Sequence, residues 1–300
     1  MKKYKIAVLM TCYNRKKITI ACLENLDKQS DSEMFDIDIF LVDDGSTDGT
    51  GRAVKARHPD AHVIQGDGSL FWCGGMRLAF GEALKHNYDF YLWLNDDTVL
   101  FPNAIRKLVD TYVDLHHRLK ADAVVVGSLS DRVSNELTYG GSRFRSRWHK
   151  TQYEMIAPGQ TPLPCDVFHG NCVLIHQRIA GAVGNMSGDY KHGPGDKDYA
   201  LRVSRAGFSS WICPGFVGTC SRNHLLERWR KKDMTLSERI EALNHPVVLA
   251  RVKDWVVFTK KYHKWVWPSI YLRSLIRLHF PRFYIFLKCS VRFQNRSHTC

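Results

Sequence analysis

The 300-residue chain is 44% hydrophobic, enough apolar material for one large domain or two smaller ones, and its net charge of +13 is concentrated at one end. Residues 221–300 hold 17 Lys/Arg against 5 Asp/Glu, whereas residues 1–220 hold 26 against 25. No stretch approaches about eighteen uninterrupted apolar residues, so no spanning helix is predicted, and nine cysteines without a CxxC or a paired zinc spacing read as reduced thiols of a cytoplasmic protein.

The opening MKKYKIAVLM imitates a short signal peptide, but its apolar run ends at Tyr13-Asn14-Arg15 with no small-residue cleavage site. Lys5–Met10 is therefore predicted as a buried parallel strand and Ile18–Leu26 as a helix. The TCYNR loop between them contains no glycine, which excludes a dinucleotide-binding turn. Phe35–Val42 is a second strand, followed by the acidic, glycine-containing run DDGSTDGT at 43–50. Loops at the carboxyl ends of strands are where open α/β sheets bind ligands. An aspartate there contacts a base or ribose, or else forms a plain Asx turn with Ser46 or Thr47 capping the next helix.

His62–Gln65 is a third strand. The segment GDGSLFWCGGM, 66–76, then mixes glycines that permit close backbone approach with aromatics that supply a wall. Met76–Leu84 is predicted as an amphipathic helix and Asp89–Leu94 as a fourth strand, running into Asn95, Asp96 and Asp97. Two adjacent carboxylates at the end of a buried strand repel each other and lose solvation unless a cation lies between them. A hard divalent ion with phosphate oxygens as further ligands suits that place. The plainer readings are a surface turn, or Asp97 as a helix cap near Pro102.

Ala104–Leu119 is a helix and Ala121–Gly127 a strand. Residues 128–165 are polar and irregular, with Arg143, Arg145, Arg147 and His149 as a basic cluster on a flap or a solvated loop. CDVFHGNCVLI, 165–175, reads as a strand interrupted at His169-Gly170-Asn171 by a bulge or a ligand, with a core histidine as the alternative. In GPGDKDYALR a helix starts at Asp196, as cap or as functional acid, and Asp198 and Arg202 are spaced to pair on it. Ser209–Cys213 is a strand. Repeated strand–helix alternation predicts a doubly wound parallel α/β sheet.

Taken in order, TCYNR, VDDGSTDGT, FWCGGM, LNDDT, HGN and GDKDYALR resemble the family-2 glycosyltransferases, inverting enzymes of the GT-A fold, and bacterial polysaccharide or rhamnosyl-type transferases among them. The resemblance implies a Rossmann-like nucleotide-diphospho-sugar transferase fold, a mixed sheet flanked by helices, over residues 1–224, with a nucleotide-binding half to about residue 120 and an acceptor half after it. Thr11 and Asp44, or Asp43, would hold base and ribose, with Asn14 and Arg15 beside them and Asp67, Gly74 and Gly75 lining the donor site. Asp97 would be the principal ligand of Mg²⁺ or Mn²⁺, and Asp96 would assist it or contact the donor sugar. Asp196 takes the general-base position. Gly195 stands where relatives more often have Glu, which leaves the Glu-linked acceptor contact open. Trp72, His169, Asn171 and Asp198 fall on the acceptor side. Where many relatives have a metal-ligating histidine, this chain has Cys220: the nearest histidine, His224, takes the place and is the favoured ligand, or Cys220 replaces it, or the third protein ligand is missing.

Residues 225–300 interleave tryptophans with cations around a helical Ile270–Leu278, bracketed by Pro268 and Pro281. They suit a peripheral seat on an anionic membrane, or else a helical cap or dimer interface. No nucleic-acid-binding motif accompanies the charge. The expected activity is metal-dependent, inverting transfer from a UDP- or dTDP-sugar to a glycan or polyprenol-linked glycan in cell-surface polysaccharide synthesis, at the inner face of the cytoplasmic membrane. The alternatives are a nucleotidyltransferase or a non-catalytic nucleotide-sugar-binding scaffold.

Overall fold

The apolar run after the first lysines forms β1 (Tyr4–Cys12), in which Ile6–Met10 are wholly buried. After α1 (Lys16–Leu26), β2 (Phe35–Asp43) lies parallel to β1, with Ile6 opposite Ile37 and Cys12 opposite Asp43. α2 (Thr50–Arg57) leads to β3 (His62–Gln65), which extends the parallel set beside β2. α3 (Phe71–Ala83) crosses back, and the fully buried β4 (Phe90–Leu94) pairs in parallel with the other edge of β1.

The computed structural model describes residues 3–29, 32–145, 152–222, 228–231 and 233–294. The chain divides into two compact units, the first formed by residues 1–191 and 195–222 and the second by 192–194 and 223–300. In the first unit β5 (Val99–Leu100) and α4 (Ala104–Leu119) follow β4. α4 buries Ile105, Leu108, Val109, Tyr112 and Leu115 along one face, the helical period expected of a helix laid on a sheet.

The next stretch departs from the sequence reading. Residues 128–165, expected to be irregular, contain the end of β6 (Ala123–Ser130), then β7 (Leu137–Tyr139), β8 (Gly141–Phe144), β9 (Tyr153–Met155) and β10 (Leu163–Cys165). Strands this short carry too few residues to show an alternating pattern, and their stability comes from partners distant in sequence. With β11 (Val167–Phe168), β8 and β9 make a separate three-stranded sheet. Of the basic cluster, Arg143 pairs with Glu154 across it, while Arg147 and His149 lie outside the described residues.

β12 (Cys172–His176) enters the main sheet between β4 and β6 and runs antiparallel to both. The sheet is therefore mixed, not uniformly parallel. α5 (Gln177–Val183), α6 (Gly195–Arg205) and β13 (Ser209–Thr219) complete the first unit. Among the described residues the main sheet has the order β10-β13-β6-β12-β4-β1-β2-β3, with β5 added at β13 and β7 at β6. β13 outruns the predicted Ser209–Cys213 because register shifts after Ile212 accommodate Pro214 and Gly215, and pairing then resumes with Ser128–Ser130.

The second unit is helical: α7 (Leu236–Asn244), α8 (Pro246–Tyr262), α9 (Trp267–His279) and α10 (Pro281–Gln294). Thr235 and Glu238 form a reciprocal capping box at α7, and prolines open the last three helices, where a missing N–H costs nothing. A small core of Trp229, Ala242, Leu243 and Ile285 holds it together. Asp254 of α8 accepts hydrogen bonds from the N–H groups of His192 (2.7 Å) and Gly193 (3.1 Å). Among the described residues no helix is long and apolar enough to cross a membrane, and seven described cysteines are free.

Candidate functional site

β4 delivers the acidic pair to the carboxyl end of the central strands. Asn95 and Thr98 close a turn after it, with the Thr98 N–H on the Asn95 carbonyl at 3.2 Å. Asp96 is almost wholly buried, and Asp97 is partly open. Arg15, at the start of α1, reaches both: its Nη1 lies 2.7 Å from Asp96 Oδ1 and 3.1 Å from Asp97 Oδ2. Thr19 Oγ1 donates to Asp96 Oδ2 at 3.2 Å, and Cys220 Sγ donates to Asp97 Oδ1 at 3.3 Å. Burial lifts the Asp96 carboxyl to about 6, with Arg15 pulling against that and Asp97 adding to it. Burial also opposes the charge on Arg15, but the two carboxylates outweigh it and keep the guanidinium firmly protonated.

The loops after β1, β2 and β3 are laced to one another. Asn14, in the left-handed region at φ 52°, accepts from the Thr47 and Asp48 N–H groups and donates its own N–H to Ser46. The Asp43 carboxylate accepts from Ser46 and Gly51, and that of Asp44 from Gly68, Leu70 and Phe71 at 2.9, 3.3 and 2.8 Å. Both aspartates thus shape the loops after β2 and β3. Gly45, at φ 74°, has no room for a side chain, since a Cβ would lie 2.9 Å from the Gly68 nitrogen. Asp67 is exposed, its carboxyl held below the usual range by Ser69. Gly74 and Gly75 lie inside α3, which begins at Phe71 and not at Met76. Gly75 packs on the Thr11 side chain so closely that a Cβ would overlap it.

A second line of contacts runs to Asp196. The Trp72 indole N–H donates to Asn95 Oδ1 at 2.8 Å, and the Asn95 N–H donates to the Asn171 carbonyl at 3.0 Å. Gly170 lies against the Trp72 ring, and its N–H donates to Asp196 Oδ2 at 3.3 Å. Gly195 fits against Cys73, where a Cβ would lie 2.7 Å from its sulfur. The N–H of Lys197 donates to Asp196 Oδ1, and its ammonium lies 3.7 Å from that oxygen. Burial disfavours the Asp196 anion, but Lys197, His169 and the two N–H groups prevail and hold its carboxyl below the usual range. His169 contacts the Gly140 carbonyl through its own N–H at 3.0 Å and its Nδ1 at 3.1 Å.

The structure therefore connects Arg15, Trp72, Asp96, Asp97, Asn171 and Asp196 through direct contacts. Asp198 faces inward instead: it is fully buried, paired with Arg202 at 2.9 Å and bonded to the Tyr190 hydroxyl at 3.2 Å. The helical pairing anticipated for Asp198 and Arg202 is the one realised. His224 lies outside the described residues. Sequence reasoning gave no role to Asn95, Thr19 or Lys197. Asn95 and Lys197 adjoin recognised acids, a signal available in the motifs; Thr19, one turn along α1 from Arg15, carried none.

Residues 7–183 match Glycosyl transferase family 2, and the chain belongs to that family. Uncharacterized proteins of Mycobacterium bovis (Mb1552) and Mycobacterium tuberculosis (Rv1525) are each 28% identical to it over 144 residues, 47% of this chain and 49% of theirs. The chain spans about half the length of the curated relatives it matches. Among solved structures, the mannosyltransferase PcManGT from Pyrobaculum calidifontis, in complex with GDP-Man and Mn²⁺, is similar with a TM-score of 0.50 at 16% identity, covering 100% of this chain and 77% of that one. S. aureus TarS gives 0.53 at 12%, covering 90% and 48%. The fold is the GT-A fold of these enzymes.

Gly170→Ala tests the contact beside Asp196. A Cβ there would overlap the Trp72 ring, with Trp93 also 3.4 Å away. The expected cost is about 1–3 kcal/mol of stability from overpacking, read as a lower urea midpoint together with altered tryptophan fluorescence. An unchanged midpoint and spectrum would show that the ring has room to move.

Proposed function

We propose that this chain moves a sugar from a nucleotide-sugar donor, UDP- or dTDP-linked, to a hydroxyl of a glycan or polyprenol-linked glycan in cell-surface polysaccharide synthesis, with inversion at the anomeric carbon. The observation that carries this reading is the line of contacts from the acidic pair through the adjoining Asn95, hydrogen-bonded to Trp72, and through Gly170, packed on the Trp72 ring, to a carboxylate held ionised at Asp196. The acceptor hydroxyl attacks the anomeric carbon as Asp196 takes its proton. The sugar–phosphate bond breaks, and its electron pair leaves with the nucleoside diphosphate.

The acidic pair suits a cation, since it already holds a guanidinium between its two carboxylates. Among the described residues no three His, Cys, Asp or Glu side chains are grouped to hold a metal. Mg²⁺ or Mn²⁺ at Asp97 would therefore complete its shell with diphosphate oxygens and water. Bound there, the ion supplies positive charge to the departing diphosphate. The Mn²⁺ and GDP-Man of PcManGT support this reading. Thr11, Asp67 and the loops fixed by Asp43 and Asp44 form the donor side, and Trp72, His169 and Asn171 adjoin the base on the acceptor side.

The second unit supports a seat at the cytoplasmic membrane. α9 has no buried residue, and Trp265, Phe280 and Phe286 are 98, 64 and 65% exposed. Phe283 and Phe286 lie three residues apart on α10, so they share a face, with Phe280 just ahead of the helix, and Lys264, Arg273 and Arg282 are exposed cations of the same unit. An apolar face among cations fits an anionic lipid surface.

Three measurements check these proposals. In a thermal-shift panel of UDP-, dTDP- and GDP-sugars with and without Mn²⁺, one nucleotide raises the melting temperature only with metal, and Asp97→Ala abolishes the rise. If no nucleotide stabilises the protein while acidic vesicles bind it, a non-catalytic scaffold is the better reading. With a transferable donor and acceptor, Asp196→Asn lowers turnover by about 10²–10⁴-fold, as expected for a lost general base. Because the base must be ionised, the acid limb of the rate profile lies below the usual carboxylate range. Lys197→Gln, which removes a lowering influence, moves that limb to higher pH. In sedimentation with phosphatidylglycerol-containing vesicles, but not pure phosphatidylcholine, the wild type pellets and Phe283→Glu/Phe286→Glu does not. A dimer that the same double variant dissociates, without vesicle binding, would identify that face as a subunit interface.

A further inference from the structure

One nitrogen of Arg15 lies 2.7 Å from one carboxylate of the acidic pair and 3.1 Å from the other. The remaining oxygens are engaged as well, Asp96 Oδ2 by Thr19 and Asp97 Oδ1 by Cys220. The guanidinium thus holds the place a divalent ion would take. Its backbone stands in a loop tied down by Asn14, whereas its side chain is 36% exposed at the mouth of the pair. A long, partly exposed side chain on a fixed loop can leave its partners without the loop moving.

We propose that Arg15 is an exchangeable internal counter-ion: it neutralises Asp96 and Asp97 in the ligand-free protein, competes with free metal for them, and passes to the diphosphate oxygens when metal and nucleotide enter together. Arg15 in this state is a competitor of the metal, and it becomes a donor ligand only once displaced. A guanidinium is suited to the exchange because it pairs with carboxylate and phosphate in the same forked geometry. The consequence is coupled binding. Metal alone binds weakly, and nucleoside diphosphate strengthens it by giving Arg15 somewhere else to go. This rests on the metal-dependent reading above.

The test is Mn²⁺ binding to the full chain, followed by the loss of the free-ion electron paramagnetic resonance signal, with UDP, dTDP or GDP present or absent. Arg15→Gln binds Mn²⁺ alone roughly tenfold or more tightly than wild type, the scale on which adjacent charged groups couple. It also gains less than wild type when the nucleotide is added. Arg15→Gln/Asp96→Asn removes one charge of each sign, so it guards against a variant that fails to fold, and it too gains less than wild type when the nucleotide is added. If wild type and Arg15→Gln bind Mn²⁺ alone equally, the exchange is overturned and the metal site stands. If nucleotide strengthens Mn²⁺ binding equally in wild type and Arg15→Gln, Arg15 has no part in the coupling. If no protein binds Mn²⁺ with or without any nucleotide, the metal-dependent reading itself falls, and the exchange with it.

Discussion

Everything at the site follows from placing two neighbouring carboxylates at the end of a strand with no exposed residue. β4 is buried along its whole length, so the turn after it emerges from the apolar interior with Asp96 still inside. Such a pair needs positive charge close by, and Arg15, far away in sequence, is what the fold supplies. That requirement fixes the start of α1, and through Asn14 it fixes the loop after β2 as well. Asp43 and Asp44 then hold the turns that follow β2 and β3. These loops are thus positioned by carboxylates bound to backbone N–H groups, charge-assisted hydrogen bonds of the stronger kind.

The surroundings of Asp196 are built on a different principle, close approach made possible by missing side chains. Gly170 lets the backbone lie on the Trp72 ring, Gly195 lets α6 start against Cys73, and Gly75 lets α3 settle on Thr11. Asp196 is oriented by N–H groups from both sides of this contact, so its position depends on an indole as much as on its own helix.

Much of this was legible in the sequence. The long apolar runs gave β1, β2 and β4 nearly to their ends, and α4 has the bounds its period predicts, because these elements carry their own periodicity. The order of the motifs was enough to point to the family that residues 7–183 match. What escaped was set by partners distant in the chain. The short strands between residues 137 and 165 owe their existence to pairing with one another and with β6, β11 and β13. The start of α3 moved forward because Phe71, at φ 54°, is held by Asp44 and the helix continues from it. Arg15 sat in a recognised motif, yet nothing local announces a partner 81 residues away. Asp198 illustrates the reverse: an acid in a functional motif whose nearest cation, one turn along, was a sufficient account of it.

The reversed strand β12 has one further consequence. Because it runs against β4, the HGN segment that enters it meets the turn that leaves β4, and the two are stitched by the Asn95 and Asn171 backbones. Between β6 and β12 the chain adds β7 and β10 to the main sheet and builds the small sheet from β8, β9 and β11 before it returns to this seam. An insertion in the small sheet leaves the stitched backbone untouched. The topology thus sets the frame that holds the acidic turn apart from a small sheet built outside it, the kind of partition by which a scaffold can change without rebuilding its centre.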